Sequence, residues 1–293
     1  MHSFMRAVGF EQMNTIQLDE ILSQVVECPD HINTAVDSQK NEFVEYTKNF
    51  GESIGLCVCG SYVEDGEFEM DYYYPYFTGT GITTQEQVSI ERHADKEAYA
   101  GVCDDVKVGV TLIFYLQNVA EYLKLKKKYK RSYHTNISST LAGLSLEGKI
   151  LFPISKSEKQ IQKNEKITQN RNHLIAAARD GDEDAIESLT LEDIDTYSMI
   201  SRRIAHEDIL SIVDSYFMPH GIESDQYSIL GEILNYYYVT NKITKQRICV
   251  LTVDTNDLVY DICINERDLL GEPEVGRRFK GNIWMQGTVN ITN

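Results

Sequence analysis

Positive charge is what this sequence has least of. Its 28 Lys and Arg face 45 Asp and Glu, for a formal charge of −17 and a pI near 4.8. Split at Ser155, the chain carries −9 before Lys156 and −8 from it onward, so no basic region hides behind the average. An acidic field repels a polyanion, which argues against nucleic acid as a main partner, including RNA bound through a C-terminal β unit. Long apolar runs are missing too. No window approaches the ~20 apolar residues of a membrane helix, and MHSFMRAVGFEQM has no apolar segment of secretory length. The expectation is a cytoplasmic protein with no membrane partner, whose six cysteines stay reduced.

Catalytic signatures are likewise absent. There is no G-x-S-x-G elbow, no H-E-x-x-H, no paired C-x-x-C and no cysteine motif that identifies a His partner. Phe77-Thr-Gly-Thr-Gly-Ile82 contains a G-x-G, but Thr83-Thr84-Gln85 follows where a dinucleotide site needs a third glycine opening a helix. That loop reads as a turn, and no cofactor is expected. Cys57 and Cys59 sit in an alternating apolar run, so both thiols share one strand face as buried structural residues.

What the chain does have is the composition of a globular protein, 42% apolar and 25% charged. Ile16, Leu18, Ile21, Leu22, Val25 and Val26 form a helical stripe, with Asn14 and Gln17 spaced as a capping box. Ile54–Val63 and Phe68–Phe77 flank Asp65-Gly66 as a hairpin, and Pro75 requires an edge or a strand end. A strand at Val106–Leu116 runs into a short helix ending KLKKKYKR, whose cations suit a helix C-terminus. Leu141–Ile154 reads as a second hairpin turning at Glu147-Gly148. Residues 1–154 are therefore expected to be an α+β domain with helices on a mostly antiparallel sheet.

The polar stretch 155–172 reads as a helical linker to a second region, 173–293. Its first part, about 173–217, is helical. Gly181 stops one helix and Asp182 caps the next, Thr190 with Asp193 suggests a weaker cap, and Ile194, Tyr197, Ile200 and Ile204 keep helical spacing. The part from about 227 holds four β-prone runs, YSILGEILNYYYVT, ICVLTVD, LVYDICIN and FKGNIWMQGTVNI. They predict a small antiparallel sheet or a partly closed β-barrel.

Two groups of residues have side chains suited to a site. Glu91, His93, Asp104 and Asp105 in SIERHADKEAYAGVCDD combine imidazole with carboxylates, which suits a divalent metal or proton transfer. The alternative is a charged surface loop in which Glu91, Arg92 and Asp104 pair. In LLGEPEVGRRFKGNIWMQG, Arg277, Arg278 and Lys280 offer cations for an anionic group, and Trp284 offers a stacking face. The alternative there puts Phe279, Ile283 and Met285 in a core, with Arg278, Lys280 and Trp284 on the other strand face.

The opening MHSFMRAVGF, the block VSIERHADKEAYAGVCDDVKVGVTLIFYLQN and the tail CINERDLLGEPEVGRRFKGNIWMQG resemble the bacterial family called domain of unknown function 3881, of the Firmicutes. The resemblance spans essentially the whole chain. It implies a bacterial cytoplasmic protein and brings no activity, cofactor or catalytic residue. The leading expectation is a non-catalytic binding or regulatory protein that meets a protein partner or itself, with Arg277, Arg278, Lys280 and Trp284 as contacts. The rival is a metal-assisted hydrolase or lyase built on Glu91, His93, Asp104 and Asp105, which requires those four side chains to converge on one point.

Overall fold

Asn14 opens the first helix as its spacing predicts. A computed structural model describes residues 2–37, 40–63, 66–92, 97–105, 108–128, 137–154, 167, 170–171, 173–178, 181–204, 206–221 and 224–291. Helix α1, Thr15–Glu27, has its capping box formed in both directions, and it buries Leu18, Leu22 and Val25. Four antiparallel strands follow in chain order: β1 (His31–Val36), β2 (Glu42–Asn49), β3 (Ile54–Tyr62) and β4 (Phe68–Phe77). Gly66, at φ +79°, supplies the turn between β3 and β4, and Pro75 lies in β4 at the sheet edge, where its missing N–H costs no ladder bond.

The second sheet begins as a meander of β5 (Val88–Arg92), β6 (Tyr99–Asp105) and β7 (Val110–Leu116). The single strand expected from Val106 is thus cut short, because Gly109 at φ +68° turns the chain just before β7. Helix α2, Val119–Lys128, carries Lys124, Lys126 and Lys127; Lys130 and Arg131 of the same basic cluster lie outside the described residues.

The expected hairpin at Leu141–Ile154 is not formed. Ile137–Leu151 is one continuous strand, β8. Gly148 is there for room, not for a turn: a Cβ on it would lie 2.4 Å from the Phe279 ring. Helix α3, Glu183–Ile204, starts at Asp182, whose carboxylate accepts from Ala185 N, just after Gly181 at φ +90°. Thr190 does not cap a new helix; its hydroxyl donates to the Ile186 carbonyl inside α3. Ile194 and Tyr197 are exposed on it. Of the linker at 155–172, only 167, 170 and 171 are described.

The remaining strands are β9 (Tyr216–Pro219), β10 (Gln226–Thr240), β11 (Arg247–Thr255), β12 (Leu258–Asn265), β13 (Leu269–Leu270) and β14 (Arg278–Ile291). The order β8-β12-β11-β10-β14, with β14 pairing back on β8, closes five strands into a barrel. The β12–β8 seam is parallel and short, Asp261–Ile264 against Ala142–Ser145, so closure is partial along the strands. The partly closed barrel is therefore real, and its fifth strand comes from before residue 154. Asn256 and Asp257, both at positive φ (55° and 65°), make the two-residue turn between β11 and β12.

One buried side chain joins the two sheets, and another braces the larger sheet internally. Gln286 of β14 accepts from Phe77 N and Gln117 Nε2 and donates to the Pro75 carbonyl, which ties the barrel to the edge of the four-stranded sheet. The Tyr227 hydroxyl accepts from Ile113 N (2.7 Å) and donates to the Ile113 carbonyl (3.0 Å), holding β7 against β10. The 3₁₀ segment Ser3–Val8 packs on β8 and β12, with Arg6 paired to Asp268 and Asn241 Nδ2 donating to the Val8 carbonyl.

Candidate functional site

Where β4, β7 and β14 meet, aromatic rings surround a concavity of about 530 Å³. Along β4, Tyr72 and Tyr74 project to one face, in register with Cys59 and Cys57 of β3. The pairing then slips: Cys59 faces Tyr72 and Gly60 faces Met70, leaving Asp71 as the extra residue of a bulge. Gly60 permits this, since a Cβ there would lie 2.0 Å from the Glu69 carbonyl oxygen. Met70, Asp71 and Tyr73 thereby join Tyr72 and Tyr74 around the concavity, which β7 lines with Tyr115 and β14 with Trp284.

The rings touch one another. Trp284 lies 4.8 Å from His2 and 5.3 Å from Tyr115 between centroids, and Tyr115 lies 4.8 Å from Tyr74. Trp284 Nε1 donates to Asp225, and the Tyr72 and Tyr74 hydroxyls donate to the carbonyls of Glu97 and Gln117. Burial raises the Tyr72, Tyr74 and Tyr115 phenols well above their ordinary pKa, so they remain neutral. Burial lowers His2, which keeps it an uncharged imidazole near neutral pH. Among the described residues, no Lys or Arg lines the concavity.

Behind Tyr72 and Tyr74 lie the Cys57 and Cys59 thiols, 3.6 Å apart and fully buried. Burial lifts Cys59 far above the ordinary thiol range, which makes it packing rather than a nucleophile. Glu45 of β2, opposite Cys59 in register, accepts from Val119 N at the start of α2.

Three of the four residues singled out for metal chemistry are described. Glu91 is exposed on β5, and His93 lies outside the described residues. Asp104 and Asp105 are adjacent on β6 and so face opposite ways. Asp104 is exposed and accepts from Thr111 Oγ1, while Asp105 is buried and accepts from Thr84 Oγ1. Arg92 pairs with Glu97 at 2.9 Å. Among the described residues, no group of three or more His, Cys, Asp or Glu side chains could hold a metal ion.

Of the second set, Trp284 alone reaches the concavity. Arg277 pairs with Glu274 and lies over the Phe152 ring. Lys280 is half-buried beside Lys149 in the β14–β8 register. Arg278 is buried and donates to the carbonyls of Phe152, Val213 and Leu210, fastening the chain on either side of α3 to β14. Arg278→Ala should therefore cost about 1–3 kcal/mol in urea unfolding, since three charge-assisted hydrogen bonds to partly buried carbonyls are lost. Arg278→Lys should recover only part of it, because an ammonium cannot fork to three separated carbonyls. Full recovery by lysine would show that charge alone matters.

Sequence reasoning missed Tyr72, Tyr73, Tyr74, Tyr115 and His2 as neighbours of Trp284. The visible signal was the tyrosine run on a proline-marked edge strand, YYYPYF. No helix among the described residues is long and apolar enough to cross a membrane. No curated protein and no solved structure matches the chain. A family does: its description reads "Domain of unknown function, E. rectale Gene description (DUF3881)", the match covers residues 5–287, and the chain belongs to that family.

Proposed function

We propose that the protein is a non-catalytic binding or regulatory protein of the bacterial cytoplasm, with the aromatic concavity around Trp284 as its ligand site. The observation that carries this reading is the composition of the wall: neutral tyrosines, an uncharged imidazole and a tryptophan around about 530 Å³, a volume typical of small-molecule sites. Its lining comes from β4 of one sheet and from β7 and β14 of the other, so an occupant touches both. That is the arrangement a ligand-sensing protein needs, because differential contact is what shifts a population.

The chain has one tryptophan, and it lies in the site, so intrinsic fluorescence reports occupancy directly. A small-molecule screen read by Trp284 emission should return ligands whose signal disappears in Met70→Arg. Met70 is exposed at the rim, so this change fills the opening without disturbing the core. Hits that bind the variant as well as the parent would place the ligand site elsewhere.

A further inference from the structure

We propose that the group held in this concavity is a small organic cation, a quaternary or alkylated ammonium; the proposal rests on reading the concavity as the ligand site. The half-buried rings of Tyr72, Tyr73 and Tyr115 supply accessible aromatic surface, with Trp284 buried as the floor. Ring faces carry the negative part of the aromatic quadrupole and attract a weakly hydrated cation.

The polar complement has the matching sign. Asp71, the extra residue of the β4 bulge, is an exposed carboxylate lining the same space. Bulges re-aim side chains, and this one places a negative charge beside Tyr72 and Tyr73. Among the described residues, neither Lys nor Arg lines the space. At longer range the −17 charge of the chain draws cations and repels anions. A bare ammonium would lose more hydration on entry than an alkylated one, which favours the alkylated class in an aromatic site.

The test uses the full chain and three probes: tetramethylammonium, choline, and 3,3-dimethylbutan-1-ol, the uncharged carbon counterpart of choline. Binding is followed by Trp284 emission and by isothermal titration. Choline should bind at least roughly tenfold more tightly than its neutral counterpart, with tetramethylammonium also shifting the emission. Asp71→Asn should weaken choline by about threefold or more and leave the neutral probe unchanged. Equal binding of choline and the alcohol, or no binding of either cation up to roughly 100 mM, overturns the cation assignment. In that case any neutral ligand still blocked by Met70→Arg leaves the site itself standing. Cation binding that neither Met70→Arg nor Asp71→Asn alters overturns the site as well.

Discussion

Glu45→Gln is expected to leave stability nearly unchanged at pH 4 and to raise it by roughly 3–6 kcal/mol at pH 9. Glu45 is 2% exposed, between the four-stranded sheet and the start of α2. Burial drives its pKa from the ordinary 4.5 up to about 8, against the opposing pull of the Ala120 and Val119 N–H groups and of Lys124. The folded carboxyl is therefore protonated at neutral pH. Between pH 4.5 and about 8 the folded chain keeps a proton that the unfolded chain has released. Stability must then fall as pH rises through that window, and level off above it. Glutamine keeps an oxygen to accept from Val119 N and has no proton to lose. Urea unfolding of both proteins at several pH values between 4 and 9 checks this. Parallel stability curves over the whole range would mean that Glu45 is ionised in the fold.

The same position explains why a carboxyl stands there at all. Val119 N and Ala120 N are among the N–H groups that the first turn of a helix leaves without an intrahelical partner. A buried helix start needs an acceptor, and a protonated carboxyl supplies one without a buried charge. Glu45 lies on the sheet face that carries Cys57, Cys59, Tyr72 and Tyr74, since Glu45 pairs with Cys59 and Cys59 with Tyr72. Ionising it places a charge behind the aromatic wall.

Local signals in the sequence carried most of the element assignments. Alternation around Gly66 placed β3 and β4, and the capping pair Asn14/Gln17 placed α1, because those causes act within a few residues. The four C-terminal runs became β10, β11, β12 and β14 for the same reason. What could not be read was anything set by a distant partner. Gly148 looked like a turn residue, yet its role is fixed by Phe279, a neighbour only once β14 lies on β8. Closure of the barrel depends on that pairing as well. Trp284 was distinctive in the sequence, but His2, Tyr72 and Tyr115, which give it a role, lie far away along the chain. The acidic pair Asp104 and Asp105 shows the converse. Its residue types suited metal binding, while strand alternation sends the two side chains apart.

Gln286→Leu is expected to cost about 3–5 kcal/mol. Gln286 is fully buried, and its amide serves three partners: Phe77 N at 3.3 Å, Gln117 Nε2 at 2.7 Å and the Pro75 carbonyl at 2.8 Å. Leucine fills nearly the same space, so the cost comes from orphaned polar groups rather than from a cavity. Gln117 Nε2 keeps the Phe77 carbonyl as a second acceptor at 3.0 Å, which leaves Phe77 N and the Pro75 carbonyl most exposed to the loss. Both belong to β4, the edge that lines the aromatic site, so the variant should also loosen that edge and weaken any Trp284 ligand. Replacing Gln117 by Ala in the same background separates the contributions. A double-mutant coupling of about 1 kcal/mol or more is expected for groups in direct contact. A loss below about 1 kcal/mol for Gln286→Leu would show that water or a rearranged backbone satisfies these groups, and that Gln286 is not what ties the two sheets together.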